Sequence, residues 1–116
     1  MTRQQILDYA ARNHGSQPES LWLRYPGYQV LRHEGGKWYG VIMDIPGSRV
    51  GLGTEELTDV LVIKGEPEEI ELLRSVKGFA PAYHMNKRHW ISVVLEKAEN
   101  EEMVLGLLEK SFGLTE

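Results

Sequence analysis

Two adjacent glycines, Gly35 and Gly36, separate two strand-like runs in this 116-residue chain, and no other feature limits its fold as tightly. Gln29-Val30-Leu31-Arg32-His33-Glu34 precedes them, and Lys37-Trp38-Tyr39-Gly40-Val41-Ile42-Met43-Asp44-Ile45 follows. A two-residue Gly-Gly loop meets the positive-φ demand of a type I′ turn, so the segment reads as a β-hairpin. In that register His33 opposes Trp38 and Arg32 opposes Tyr39. Such a hairpin serves as an ordinary pair of sheet strands. The functional alternative is a wing entering a nucleic-acid groove, with Arg32 and Lys37 on it.

The rest of the chain supplies partners for that hairpin. Asp59-Val60-Leu61-Val62-Ile63-Lys64 is nearly continuous apolar sequence, as in a central strand buried on both faces. Pro67 suits the first turn of a helix, and Glu68, Glu69 and Glu71 favour its N-terminal dipole. Ile70, Leu73 and Val76 form that helix's buried stripe, with Gly78 at its C-cap. Residues 2–13 predict an amphipathic helix that Thr2 caps and Gln5 closes as a capping box, with Ile6, Leu7, Tyr9 and Ala10 as its apolar stripe. Asn100 caps a last helix whose inner side carries Met103, Val104, Leu107, Leu108 and Phe112.

Two connections carry unusual composition. Leu21-Trp22-Leu23-Arg24-Tyr25-Pro26-Gly27-Tyr28 is aromatic-rich and reads as packing over a sheet edge in preference to the alternative, stacking nucleobases. Pro46 to Thr58 is glycine-rich but lacks GxxxxGK[ST] and GxGxxG spacing, so it reads as a flexible loop rather than a phosphate cradle. The element order is helix, three strands, helix, two strands, helix. That order predicts an antiparallel sheet with helices packed on it.

There is no cysteine, hence no disulfide framework and no thiolate site. Met1-Thr2-Arg3-Gln4-Gln5 opens a helix rather than a signal peptide, and no apolar run reaches membrane-span length. These features fit a cytoplasmic protein. A net charge of −4 argues mildly against a nucleic-acid binder, whose affinity depends on neutralising phosphates. The charge is uneven, however: Leu72 to Leu95 contains Arg74, Lys77, Lys87 and Arg88 and no Asp or Glu.

Within that basic zone, Tyr83 to Leu95 concentrates the polar chemistry. Met85-Asn86-Lys87-Arg88 reads as a turn between a short strand ending at His84 and a strand over His89 to Leu95. Alternation puts His89, Ile91, Val93 and Leu95 on one face and Trp90, Ser92 and Val94 on the other. His84 and His89 are metal ligands by type, but no third ligand has diagnostic spacing and HExxH is absent. A general base at either histidine needs a nucleophile beside it, and Ser92 lies on the face opposite His89. Lys87 and Arg88, with His84 and Trp90 beside them, suit a phosphate or another anion. The same residues also suit a structural turn in which Asn86 and Lys87 set the bend, the Trp90 indole N–H finds an internal partner and a histidine caps a backbone carbonyl.

His84-Met85-Asn86-Lys87-Arg88-His89-Trp90, with the Ile91-Ser92-Val93 strand and a helix ending Lys110-Ser111-Phe112, resembles the MmcQ/YjbR-like family of small bacterial proteins. That family carries an H-(L/M)-N-K-x-H-W signature. The likeness extends through the first helix, the Gly-turn hairpin, the strand before Pro67 and Ala80-Pro81-Ala82-Tyr83. The resemblance implies a single α+β domain over residues 1–116. Its fold would be a two-layer α-β(3)-α-β(2)-α arrangement with helices on an antiparallel sheet, similar to secretion-chaperone-like and frataxin-like domains. It also implies DNA binding, with the sheet hairpins as a double wing. The resulting expectation is a non-enzymatic DNA-binding protein without cofactor or metal. Lys87 and Arg88 carry the binding, supported by His84, Asn86, His89 and Trp90, then by Arg32 and Lys37. The alternative is a module that binds another protein or a small ligand in a helix-on-sheet groove.

Overall fold

The computed structural model describes residues 1–116. Helix α1 (Arg3–His14) leads to strands β1 (Gln29–Arg32), β2 (Trp38–Pro46) and β3 (Leu57–Lys64). Helix α2 (Pro67–Leu73), strands β4 (Phe79–Pro81) and β5 (Trp90–Val94) and helix α3 (Glu101–Leu114) follow. The strands form one antiparallel sheet in the order β1-β2-β3-β5-β4. The α-β(3)-α-β(2)-α order and the α+β class are therefore as the sequence implies. No helix is long and apolar enough to cross a membrane.

β3 occupies the centre, which explains its continuous apolar run. Leu61 and Ile63 join the helices in one core with Ile6, Ala10, Ile70, Ile91, Val93, Val104 and Leu108. Val60 and Val62 point the other way, into a second core with Val30, Val41, Met43, Ile45 and Val94. No helix covers this outer face. The aromatic connector, the loop after β2 and the turn before β5 cover it instead, through Trp22, Tyr28, Val50, Leu52, Tyr83 and Met85, with Trp38 and Trp90 from the strands themselves.

The caps behave as their residues dictate. The Thr2 hydroxyl accepts from the Gln5 N–H at 3.3 Å, and Gln5 Oε1 accepts from the Thr2 N–H at 2.8 Å. Such a cap is worth about 1 kcal/mol. Asn100 Oδ1 accepts from the Met103 N–H at 3.0 Å and starts α3. Arg3 fixes α1 to the sheet: its guanidinium donates to both carboxylate oxygens of Asp59, at 2.7 and 3.3 Å, and to the Gly27 carbonyl and the Gln29 side chain.

The hairpin register differs from the sequence reading. The His33 N–H donates to the Lys37 carbonyl, so three residues, Glu34, Gly35 and Gly36, make the loop. Only Gly35 has positive φ, at 63°, whereas a type I′ turn needs two such residues. A register shift between Leu31 and Arg32 then pairs Arg32 with Trp38 and Leu31 with Gly40. Tyr39 has no partner on β1. Its ring is instead fully buried against the helices, its hydroxyl 2.6 Å from Ser16 Oγ and 3.1 Å from His14 Nδ1. The burial of one large aromatic outweighs the regular ladder here.

α2 also ends earlier than expected. Arg74, not Gly78, is its C-cap, and Val76 is exposed rather than part of the buried stripe. Gly78 serves the following turn at φ 92°. The glycine-rich loop after β2 opens with a 3-10 turn, Gly47–Val50, and is closed by bonds from Gly47 N–H to Glu56 O (2.9 Å) and from Ser48 N–H to Thr54 O (2.8 Å).

Candidate functional site

Strand polarity sets where the polar turns lie. β2 begins, β3 ends and β5 begins at one end of the sheet, where Lys64 pairs with Trp90. The 33–37 hairpin tip and the 82–89 turn therefore leave the sheet at the same end. Asn86 builds the second turn. Its Oδ1 accepts from the N–H groups of Arg88 (2.9 Å) and His89 (3.1 Å), and its carbonyl accepts from the Trp90 N–H (3.0 Å). This is the local side-chain-to-backbone bonding that favours Asn in turns.

β4 stops at Pro81, so Ala82 to His84 are not the strand end that the sequence reading expected. Buried Ser92 replaces the missing ladder bond, its Oγ accepting from the Tyr83 N–H at 3.0 Å. His84 then turns back at φ 58°, a left-handed conformation rare outside glycine that costs about 1 kcal/mol. Its ring lies 4.0 Å from that of Tyr83. His89 is exposed, and its carbonyl accepts from the Gly65 N–H at 3.0 Å. The expected internal partner for the Trp90 indole does not materialise, since only its backbone is bonded. The histidine that caps a carbonyl is His33, 2.9 Å from the Phe112 carbonyl at the end of α3.

The expected basic residues divide into two groups. Lys37 and Lys87 are exposed and unpaired. Arg32 is not free: it pairs with Glu19 through two bonds, one of 3.1 Å from Nη2 to Oε1, and this holds the Glu19 carboxyl below its usual range. Arg88 lines a shallow recess with Glu68, Glu71 and Arg74 of α2. Arg74 in turn donates to the Lys87 carbonyl, so the turn is fastened to α2.

The main concavity is elsewhere than the helix-on-sheet groove of the sequence reading. Close-packed side chains fill the space between helices and sheet. A cleft of about 660 Å³ lies on the outer face instead, within the usual range for small-ligand sites. Val41 and Met43 form its floor. The aromatic connector forms one wall and Tyr83, His84 and Met85 the other, with Arg24 and Arg49 at its edge. Trp22 meets Trp38 and Tyr28 edge to face, at 5.7 and 5.8 Å. Tyr25 stacks on Tyr28 at 4.7 Å. Burial, then Tyr83, Tyr25 and Asp44, push the Tyr28 phenol up. Of the expected residues only His84 enters this cleft. Trp22, Arg24, Tyr25, Tyr28, Arg49 and Tyr83 were missed as a site. For the four on the connector the sequence signal was the aromatic density of residues 21–28, and Arg49 and Tyr83 had none.

Charge is sorted between the layers. The helical stretches 1–14, 66–74 and 95–116 hold eleven acidic and five basic residues, a formal −6. The remainder holds six acidic and eight basic, or +2. Of the charged residues lining the cleft, Arg24 and Arg49 are basic and Asp44 is acidic, and the adjoining 82–90 turn holds Lys87 and Arg88 and no acidic residue.

Residues 13–114 match the family model described as YjbR. The chain belongs to the YjbR family. This YjbR protein is 40% identical to YyaQ of Bacillus subtilis (strain 168), described as uncharacterised, over 99% of this chain and 98% of that one. A crystal structure of a Pseudomonas syringae protein, 41% identical, superposes with a TM-score of 0.96 over the full length of both chains. A Deinococcus radiodurans structure, 22% identical, shares the fold at a TM-score of 0.74 over 97% of this chain and 77% of its own.

Proposed function

We propose that this YjbR protein is a non-catalytic DNA-binding protein that meets nucleic acid with the outer face of its sheet. The observation that carries this reading is the sorting of charge. A chain of net −4 sets Arg24 and Arg49 against a single lining carboxylate, Asp44, around one aromatic cleft and keeps its acidic excess on the helical stretches. A polyanion is attracted to the first surface and repelled by the second. Two exposed turns at the same end of the sheet, one fastened to α3 through His33 and the other to α2 through Arg74, carry Lys37 and Lys87 as a pair of wings. The phosphate-contacting set is then Lys37, Lys87, Arg24 and Arg49, in place of Arg32 and Arg88.

Anisotropy of labelled DNA against salt tests the proposal. Four phosphate contacts give a log–log slope of roughly −3.6 on duplex and −2.8 on single strands. Lys37→Ala/Lys87→Ala should remove about two contacts from that slope. Absence of binding at low salt, or an unchanged slope in the variant, would sink it.

A protein partner is the second reading, and exposed apolar residues on the connector favour it: Leu23 is fully exposed and Leu21 is half exposed. A partner held there would bind with little salt dependence and would be lost in Leu21→Ser/Leu23→Ser.

A further inference from the structure

We infer that the outer-face cleft seats a single unpaired nucleotide, base between the aromatic walls and phosphate at Arg24 and Arg49. This deepens the nucleic-acid reading and rests on it for the source of the nucleotide, but not for the chemistry of the cleft.

The cleft is concave and about 660 Å³, so it admits one planar group with its substituents rather than a rigid duplex. Its walls come from residues far apart in sequence, Trp22, Tyr25 and Tyr28 on one side and Tyr83 and His84 on the other. Trp22 stands at 81° to Trp38 and 74° to Tyr28, so no parallel ring in this group covers the Trp22 indole face. Aromatic faces lined by arginine are how unstacked bases are held, since every base offers a π-face. The two arginines at the edge have no ion pair, and their guanidinium forks match a phosphate group. An apolar ligand would leave both arginines without a role. A purely anionic ligand would make no use of the aromatic lining, part of which also covers the outer-face core. A nucleotide uses both sets.

The left-handed His84 supplies a second, independent observation. Backbone held in a sparsely populated conformation clusters at ligand sites. Here it follows directly on the Ser92–Tyr83 bond and brings the His84 and Met85 side chains over the cleft instead of continuing β4.

Calorimetry with adenosine monophosphate, adenosine and ribose 5-phosphate tests the pairing of the two sets. The monophosphate should bind at least about tenfold more tightly than either fragment, because stacking and phosphate contacts each contribute about that much. Arg24→Glu/Arg49→Glu should bring the monophosphate to the level of adenosine. Trp22→Ala should weaken all base-containing ligands, and because Trp22 also packs on the outer-face core, the surface double variant carries the test independently. Ribose 5-phosphate binding as tightly as the nucleotide, or a double variant with unaltered affinity, overturns the inference.

Single-stranded and duplex DNA of equal length separate the sources. Preference for the single strand, lost with Trp22→Ala, makes the strand the source. Nucleotide binding without DNA binding of either kind keeps the cleft assignment, makes the free nucleotide the ligand and ends the DNA-binding proposal. Duplex bound as well as single strand, with no response to Trp22→Ala and no monophosphate binding, leaves DNA binding standing and ends the cleft assignment.

Discussion

The buried hydroxyl of Ser92 accepts a hydrogen bond from the Tyr83 N–H at 3.0 Å, nine residues away. It holds the chain where β4 ends and lets His84 reverse over the outer face. Ser92→Ala leaves that N–H without its partner, which should cost about 1–3 kcal/mol in urea denaturation. Ligand binding at the cleft should fall as well, because Tyr83 and His84 lose their anchor. Unchanged stability would mean that the turn is held elsewhere.

Two glycines should respond in opposite directions. Gly78 has φ 92°, and an added Cβ would lie 2.9 Å from the Lys97 carbonyl oxygen. Gly78→Ala should therefore destabilise by at least about 1 kcal/mol. Gly106 is inside α3 with nothing within 4 Å of an added Cβ. Gly106→Ala should stabilise by about 0.5–1 kcal/mol. Denaturation midpoints of the two variants check both signs.

The Glu109 carboxylate accepts from the Tyr9 hydroxyl at 2.7 Å and lies 3.0 Å from His14 Nε2, which holds it below its ordinary value of 4.5. A depressed carboxylate contributes stability that is present above its unfolded value and lost as pH falls through the folded one. Glu109 is half exposed, so solvent weakens the effect. The thermal midpoint should drop on acidification below about pH 4.5, and more steeply in the parent than in Tyr9→Phe, which removes the largest cause. Superimposable pH profiles would contradict this assignment.

Arg3 ties the first turn of α1 to β3 through two bonds to Asp59 and one each to Gly27 and Gln29. Arg3→Ala should cost about 1–3 kcal/mol, more than an ordinary surface ion pair, since it also strands a loop carbonyl. Asp59→Asn, which keeps one acceptor, should cost less. A double-mutant cycle on the two positions measures their coupling.

Regular elements were legible because their signals are local. Thr2 with Gln5, Asn100, Pro67 and the β3 run each specify a structure within a few residues, and the structure follows them. The hairpin register was not legible. Gly35-Gly36 announces a turn, but Tyr39 decides the pairing by entering the helix-side core, where the following Gly40 lies beside Leu31, Leu61 and Leu108. Nothing between residues 29 and 45 shows that a helix 60 residues later will receive the ring. The family signature was legible as a turn, which Asn86 explains. Its arginine was not separable from its lysine, because the acidic side of α2 beside Arg88 is a tertiary neighbour. The cleft was least legible of all: Trp22, Arg49 and Tyr83 meet only once the sheet has formed.

Two-dimensional NMR of the labelled protein, titrated with short single-stranded DNA at low salt, tests the central claim most directly. The account predicts shifts at Trp22, Val41, Met43, Tyr83 and His84, and at Lys37 and Lys87, with α1 and α3 undisturbed. Shifts confined to the helices, or a spectrum that does not change, would contradict it.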